Sequence, residues 1–450
     1  MENLANFIWA WLAIWLSWVW VAIGQWILWK SAVEAMWKNK DLSSFFLTIT
    51  ILGIALVESA AIYGLIVAFR ILGIEDISMA ASIWAWLAIW LAWMWAWIWE
   101  WKLISWAITA ISRSPKLKWR LMTYMVLFVA LVESAAIYWL VIAFKILWDT
   151  DFTNEAFIGM WLAVWLAWLW VSIWEWILAE KSMEVMSKQE SMIWFFLTVT
   201  ILGIALVESA AIYWLVVAFD VFGKDLSMMA AVGSWLAIWL SGLWAWVGEW
   251  ILVAWAMSAI SRNPKIKGKL LTFMVLFVAL VEVTAIYGLI ISFRISGAYD
   301  ASIDQMIYVW AWLAIWLAWL WVGIGRWYLS EESMKIMWKN PAIIWFMLTV
   351  SILWVALVES AAIYALVVAF KILWASATLS WLAAAWAWLA IWLAWLWAWV
   401  GEWLLIKGAV KWINADPESK GKTLAFMVLF VALVEVVAIY WLLIAFKIIG

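Results

Sequence analysis

Apolar residues occur along this chain in long runs, which short polar segments interrupt at regular distances. The runs come in pairs, and each is longer than the roughly 20 residues that an α-helix needs to cross a bilayer. They lack the strict alternation of barrel strands, and open strand edges cannot exist in lipid. The pattern therefore predicts helical hairpins, each with a first and a second membrane-spanning helix.

The paired runs are internal repeats. The string A-L-V-E-[SV]-x-A-I-Y occurs in every second helix and recurs every 74 to 77 residues. A second string, of the form W-L-A-I-W-L-A-W-L-W-x-x-x-x-E-W, precedes it in each first helix. Repetition at a fixed period indicates tandem copies of one structural unit. We predict an all-α membrane protein of six tandem hairpins, or twelve spans, with boundaries at 1–73, 74–148, 149–223, 224–297, 298–374 and 375–450.

Composition and charge support a lipid environment and exclude several classes of function. The chain is 70% hydrophobic and 12% charged, whereas an ordinary soluble domain is about 25% charged. The formal net charge of −2 gives no reason to expect a nucleic-acid partner. There is no cysteine or histidine, so disulfides and the commonest general base are excluded. No basic segment precedes the first apolar run, so we expect a first span rather than a cleaved signal peptide.

Charged residues predict the orientation of the hairpins. The turns within hairpins are basic, as at Arg113–Arg120 and Arg262–Lys269, whereas the connections between hairpins are mixed or acidic, as at Glu75–Asp76, Asp149–Asp151 and Asp300–Asp304. Positive residues favour the cytoplasmic side of a membrane. We therefore predict a multi-pass protein of the cell membrane with cytoplasmic hairpin turns and both termini outside.

The 54 tryptophans are abnormal in number and in position. At equivalent positions some hairpins have glycine and others have tryptophan, although glycine lets helices approach closely and indole holds them apart. Interfacial belts do not explain this, because belts lie at membrane edges. We hypothesise that most of these residues are glycine in the living protein, through a codon that two genetic codes read differently; deliberate redesign is the alternative. With glycine restored, the first helix suits a crowded inner layer and the second a lipid-facing outer layer. Immediately before the polar residue of the first helix the chain has Gly24, Trp99, Trp174, Gly248, Gly325 and Gly401; after the motif tyrosine it has Gly64, Trp139, Trp214, Gly288, Ala365 and Trp441.

Each second helix carries one glutamate near its middle. A charged carboxyl there costs about 2.5–3.5 kcal/mol or more unless it is paired or neutralised. One buried carboxyl could serve assembly alone, but six in nearly identical surroundings favour a carrier that alternates between a neutral, ion-loaded state and a charged, empty one. These glutamates are Glu58, Glu133, Glu208, Glu282, Glu359 and Glu435.

Oxygen-bearing neighbours of these glutamates suit a hard cation. Ser59 and Tyr63 follow Glu58, and Gln25 is available from the first helix. Glu100 and Glu175 replace Gln25 in the next two hairpins, where two carboxyls could hold one proton between them, with or without a metal ion. Hairpins four and six have valine in place of the serine, although Thr284 follows Val283. Arg326 of hairpin five either pairs with Glu359 or extends to the interface.

The repeats resemble the c subunit, or proteolipid, of rotary F-type or V/A-type ATP synthases. The resemblance rests on the tryptophan- or glycine-rich first helix, the turns S-R-S-P-K at 112–116 and S-R-N-P-K at 261–265, and the E-S-x-x-x-Y string of the second helix. Members with this combination are similar to sodium-carrying rings. The valines at 283 and 436, and Arg326, depart from that pattern and put uniform loading in doubt. The residues implied to hold Na⁺ or a proton are the six glutamates with Gln25, Glu100, Glu175, Glu249, Glu402, Ser59, Ser134, Ser209, Ser360, Tyr63, Tyr138, Tyr213, Tyr287, Tyr364 and Tyr440.

The resemblance also implies a role and partners. The chain would be a non-catalytic, ion-translocating subunit without a cofactor or ATP site. Its ring would turn against a stator subunit of the a type, the basic turns would contact the central stalk, and two chains would supply twelve hairpins.

From the sequence alone, two other functions remain open: a twelve-span secondary transporter, and a structural or engineered membrane oligomer. Six equivalent repeats with six carboxyls argue against the transporter, because carriers use two or four larger repeats around one site.

Overall fold

A computed structural model describes residues 2–74, 77–148, 171, 173–222 and 224–450. Several side chains within these ranges are not described, including those of Ser59 and Arg326. Every long element of the described chain is an α-helix. The helices are α1 (Glu2–Lys38), α2 (Ser43–Leu72), α3 (Met79–Arg113), α4 (Lys118–Trp148), α5 (173–188), α6 (Ile193–Phe222), α7 (Met228–Arg262), α8 (Lys267–Gly297), α9 (Met306–Lys339), α10 (Ile344–Trp374), α11 (Trp381–Ala415) and α12 (Lys420–Ile449).

Each odd-numbered helix joins the next helix through the same short turn. One non-helical residue follows the first helix, and a single turn of 3-10 helix then leads into the second. Proline begins this 3-10 turn at Pro115, Pro264, Pro341 and Pro417. Its fixed φ and missing N–H suit the first position of a helix, and its ring keeps the preceding residue out of the helical conformation. Proline chemistry thus specifies where these four hairpins reverse.

Serine and aspartate side chains order the connections between hairpins. The hydroxyls of Ser78, Ser227 and Ser380 accept hydrogen bonds from backbone N–H groups in the first turns of α3, α7 and α11, at 3.1, 3.3 and 3.2 Å. In the loop before α9, Asp300 accepts bonds from the backbone N–H and the hydroxyl of Ser302, at 2.9 and 2.7 Å. These bonds favour the carboxylate and lower the pKa of Asp300.

The helices pack as two compact units, Met1–Ala211 and Ile212–Gly450. In the first unit, α1 packs against α2 and α3, α3 against α4, and α2 against α4. In the second, α7 packs against α8 and α9, α9 against α10 and α11, and α11 against α12; α10 also contacts α8 and α12. Within each unit the first helices therefore form one layer and the second helices another.

Six helical segments of the described chain are long and apolar enough to cross a membrane. Five contain second helices and one is α7. Apart from α5, of which only 173–188 is described, the remaining first helices are comparably long but rich in tryptophan, whose indole N–H lowers its apolar character. The six segments are Lys40–Leu72, Pro115–Trp148, Glu190–Phe222, Met228–Arg262, Pro264–Gly297 and Pro417–Ile449.

Hydroxyl pairs connect neighbouring helices at depth. The hydroxyls of Ser234 and Ser292 lie 2.7 Å apart between α7 and α8, and those of Ser333 and Ser351 lie 2.7 Å apart between α9 and α10. In a lipid environment such pairs satisfy polar groups that have no access to water, and each contributes about 0.6 kcal/mol. They also fix the register of the two helices in a hairpin.

Candidate ion-binding sites

Each of the six motif glutamates lies well inside a second helix, away from both ends. Their polar counterparts lie within first helices: Gln25 in α1, Glu100 in α3, Glu175 in α5, Glu249 in α7 and Glu402 in α11. Packing of the two helix layers brings the two sets of side chains together. The region 149–170, where the sequence predicts most of the first span of hairpin three, lies outside the described residues.

Glu58 is joined to the polar residue of its own hairpin. The side-chain amide of Gln25 donates a hydrogen bond from Nε2 to Oε1 of Glu58, at 2.7 Å. This contact satisfies one carboxyl oxygen and brings together two residues that the sequence assigned to one site. The side chain of Ser59, which the sequence assigned to the same site, is not among those described.

Glu208 receives its hydroxyl contacts from the preceding hairpin. Ser134 Oγ donates to Glu208 Oε1 at 2.9 Å, and Tyr138 OH donates to the same oxygen at 3.5 Å. Both donors lie on α4, whereas Glu208 lies on α6. Glu175, on the first helix of the same hairpin as Glu208, is near enough to interact with it electrostatically. The site therefore combines residues of two consecutive hairpins.

The second unit repeats this arrangement. Tyr213 OH donates to Glu282 Oε1 at 2.9 Å, and its ring packs against the buried cluster of Ala245, Val281 and Ala285. Tyr287 OH donates to Glu359 Oε1 at 3.5 Å. Ser360 Oγ donates to Glu435 Oε1.

These contacts correct the predicted grouping. The sequence assigned each serine and tyrosine to the glutamate of its own hairpin, but the hydroxyl contacts of Ser134, Tyr138 and Tyr213 run to the glutamate of the next one. Helix geometry explains the correction, because a residue five positions away is about 140° around a helix of 3.6 residues per turn. Tyr138 therefore points away from Glu133 and towards Glu208. That signal was present in the sequence spacing.

The remaining predicted hydroxyls have other surroundings. Tyr63 lies near Glu133 and Glu100, and Tyr364 near Glu435, within electrostatic range. Ser209 donates a 2.7 Å bond to the carbonyl of Leu206 in its own helix. Thr284 likewise donates to the carbonyl of Val281, at 2.9 Å. Tyr440 is 63% exposed on α12.

Four glutamates on first helices are buried without hydrogen bonds. Glu100, Glu175, Glu249 and Glu402 are at most 1% exposed. Among the described residues, neither carboxyl oxygen of any of the four has a hydrogen-bond partner. A buried carboxylate without a partner is very costly. Each must therefore be protonated or neutralised by a cation, and each stands beside the motif glutamate of its own hairpin.

The chain is similar to known proteins along most of its length. The family model for the C subunit of ATP synthase matches five tandem segments, at residues 8–71, 83–146, 158–219, 232–295 and 309–372. Each segment contains one motif glutamate, and together they cover more than half of the chain. Hairpin six lies outside these matches but carries the same strings at Glu402 and Glu435.

Individual relatives correspond to single hairpins. The ATP synthase c subunit of Clostridium beijerinckii is 45% identical over 58 residues, which are 13% of this chain and 82% of the relative. The c subunit of Chloroflexus aurantiacus is 41% identical over 64 residues, or 14% of this chain and 84% of the relative. That of Bacillus thuringiensis is 37% identical over 65 residues, or 14% and 90%. No solved structure matches the chain. The helical architecture and the five tandem matches confirm the predicted membrane hairpin fold, and the chain belongs to the family of ATP synthase c subunits.

Proposed function

We propose that the rotor ring built from this chain carries Na⁺ on its mid-membrane glutamates and couples the flow of that ion to rotation. The observation that carries the proposal is the site at Glu208, where a serine hydroxyl, a tyrosine hydroxyl and a second buried carboxyl surround one carboxylate. A proton needs only the carboxyl, whereas a hard cation needs several oxygens. The proton is the competing choice, and measurement of ion uptake distinguishes the two.

The geometry supports a cycle of loading and release. A glutamate that faces lipid must be neutral, because a bare charge at the bilayer centre costs about 2.5–3.5 kcal/mol or more. A bound cation supplies that neutrality, and the hydroxyls of Ser134 and Tyr138 hold the carboxylate oxygen in place. When a positive group of the stator approaches, it can replace the cation as counter-charge, and the ion leaves. The step needs no cofactor and no ATP site in this chain.

The remaining predictions on topology and assembly are part of the same proposal. We place the hairpin turns in the cytoplasm, in contact with the central stalk, because they carry Lys116, Lys118, Lys265 and Lys267. Both termini then lie outside. We retain six hairpins with the boundaries predicted from the sequence, and two chains per ring, closed by cyclic symmetry. An a-type stator subunit is the partner at the lipid-facing layer.

ATP-driven uptake by the complete synthase in sealed vesicles tests the transported ion. We expect uptake of radioactive ²²Na⁺ that requires ATP and is accelerated by a protonophore, because the protonophore removes an opposing electrical potential without carrying Na⁺. A carboxyl reagent should abolish this uptake. Uptake of protons without Na⁺ would contradict the choice of ion, and exchange of Na⁺ without ATP would support a secondary carrier.

Replacing Tyr213 by phenylalanine should weaken ion binding at Glu282. The change removes a 2.9 Å hydrogen bond to a carboxylate, which is worth about 1.5–3 kcal/mol, or about 10- to 100-fold in affinity. The matched control is Tyr138→Phe, since its bond to Glu208 is 3.5 Å long and should contribute much less while Ser134 still donates a 2.9 Å bond to the same oxygen. The measurement is the Na⁺ concentration that half-protects each glutamate from a carboxyl reagent. Equal shifts in the two variants would contradict the assignment.

A further inference from the structure

The six sites of the chain are not equivalent, and their differences are correlated. At Glu208 and Glu435 a glutamate of the same hairpin's first helix and a serine of the preceding hairpin lie beside the motif carboxylate, and the same register can be followed along the sequence. Where the first-helix residue is glutamate, the preceding hairpin has serine; where it is not, the preceding hairpin has valine. By sequence register the pairs with serine are Ser59 with Glu100, Ser134 with Glu175, Ser209 with Glu249, and Ser360 with Glu402; the pairs with valine are Val283 with Arg326 and, in a closed ring, Val436 with Gln25.

The correlation appears only when residues are grouped across hairpins. Within one hairpin, Glu249 would be grouped with Val283, and Arg326 with Ser360, so acid and serine would not match. Across hairpins they match at all six positions. The contacts of Ser134 with Glu208 and of Ser360 with Glu435 give this grouping a direct physical basis.

The structure shows the two members of such a correlated pair beside the same carboxylate. At Glu208 the serine of the preceding hairpin donates a 2.9 Å bond, and the fully buried Glu175 lies beside it without a hydrogen-bond partner among the described residues. At Glu435 the corresponding residues are Ser360 and Glu402. The buried carboxyl beside the motif carboxylate must be neutralised by a proton or a cation, and the serine oxygen provides a further ligand for a cation.

The two other sites have a different chemistry. Glu58 accepts a 2.7 Å bond from the amide of Gln25, and Glu359 accepts one from Tyr287 at 3.5 Å. Neither site has a second acidic residue at the first-helix position, and valine contributes no side-chain oxygen. Arg326 even brings a positive charge to hairpin five, although its side chain is not among those described. Both positions therefore lack the serine and the second acidic residue that the sequence register gives the other four.

We propose that each chain carries two kinds of site: four that bind Na⁺ together with one proton, at Glu133, Glu208, Glu282 and Glu435, and two that do not bind Na⁺, at Glu58 and Glu359. This inference rests on the proposed function, since it assigns the sodium of that function to four glutamates. In the four sites two carboxylates receive one Na⁺ and one H⁺, so the loaded site is neutral. The ring then carries fewer Na⁺ per turn than it has hairpins.

The division into two kinds of site is tested by treating the complete synthase with a carbodiimide, a reagent that modifies carboxyl groups. The test asks which motif glutamates Na⁺ protects from modification. The modified fraction of each motif glutamate is measured by peptide mass spectrometry, with NaCl or with choline chloride at equal concentration. At ten times the dissociation constant, Na⁺ should slow modification about tenfold at Glu133, Glu208, Glu282 and Glu435. Glu58 and Glu359 should react at the same rate in both salts.

The outcomes separate this inference from the proposed function. Equal protection of all six glutamates would overturn the division into two kinds and leave a sodium-carrying ring intact. Protection of none, with ATP-driven proton uptake preserved, would overturn both the division and the choice of Na⁺ but not the rotor role. Protection of none without any ATP-driven uptake would overturn all three.

Two variants test the correlated pair itself. Ser134→Val should remove Na⁺ protection from Glu208 while Glu435, in the same molecule, stays protected and shows that the ring is folded. The double variant V283S/R326E should give Glu359 the protection that it lacks. If Ser134→Val loses protection at every site, the variant is misfolded, and the double variant V283S/R326E decides instead. If Glu359 gains no protection by Na⁺ in that double variant, the proposal is overturned.

Discussion

Replacing Glu208 by glutamine should reduce ATP-driven ion uptake by the assembled synthase about 100-fold or more. Glutamine is permanently neutral, so it cannot attract a cation or release one beside the stator, and the driving force for the step at this site is lost. The carboxylate's share of that driving force is at least the roughly 2.5–3.5 kcal/mol that separates charged from neutral groups at mid-membrane, and each 1.4 kcal/mol corresponds to about a factor of ten in rate. Because the sites pass the stator in order, one inactive site delays all the others.

Asp300→Asn is the matched control, since it makes the same carboxylate-to-amide change outside the membrane-spanning helices. An asparagine side chain can still accept the bonds that Ser302 donates to Asp300. Uptake should therefore remain close to that of the unchanged protein. Both variants are measured in vesicles that contain equal amounts of assembled synthase. Normal uptake by the Glu208→Gln variant would show that this glutamate does not carry the transported ion.

The helices and turns could be predicted from the sequence because local chemistry determines them. Runs of apolar residues too long for a soluble helix leave few alternatives in lipid. Pro115 and Pro264 then fix the reversal of their hairpins, since proline suits the first turn of a helix and disrupts its interior. The repeated motifs predict the remaining helices and turns, because copies of one sequence are expected to fold in the same way.

The composition of each site could be predicted only in part. The types of residue at each site, and their positions near the middle of the helices, followed from the sequence. The partner of Ser134 did not, because it depends on how neighbouring hairpins pack, and one repeat alone does not determine that packing. The contacts at Glu208 and Glu282 come from the preceding hairpin. The five-residue spacing of glutamate and tyrosine, which places them on different faces of one helix, was the available indication.

At one exchanged position, Gly288, the surroundings exclude any larger residue. At Gly288 an added Cβ would lie 1.7 Å from Ser241 Oγ and 2.6 Å from the carbonyl oxygen of Ala237, so there is no room for a methyl group. The equivalent residues Trp139 and Trp214 are at most 1% exposed. Copies of one hairpin cannot keep a common helix spacing if the same position holds glycine in one and a buried indole in another.

Buried indoles also carry an energetic cost in this chain. Many have an N–H without a hydrogen-bond partner among the described residues, and each such donor costs about 1–3 kcal/mol. Glycine at the same positions would leave no donor and would let the backbones approach. The tryptophans with such an N–H include Trp86, Trp90, Trp99, Trp101, Trp139, Trp235, Trp239, Trp310, Trp316, Trp354, Trp388 and Trp392.

We therefore expect a chain with glycine at these positions to assemble into rings at least about tenfold more efficiently than the tryptophan chain, because even one unpaired donor amounts to about a factor of ten. Two synthetic genes that differ only there are expressed in parallel, and assembled rings are measured by native mass spectrometry. Trp119→Gly is the control: Trp119 is 61% exposed, and its equivalent Gly268 has open space around it, so assembly should not change.

The natural protein offers the decisive measurement of the same hypothesis. Peptides from the organism that makes it should contain glycine where the sequence has Trp99, Trp139 and Trp214, and the gene should have UGA at these codons. The codon UGG, or tryptophan in those peptides, would show that the indoles are genuine. The first and second helices would then have to pack at different distances from one hairpin to the next, and the six glutamates could not lie at equal distances from the axis of a ring.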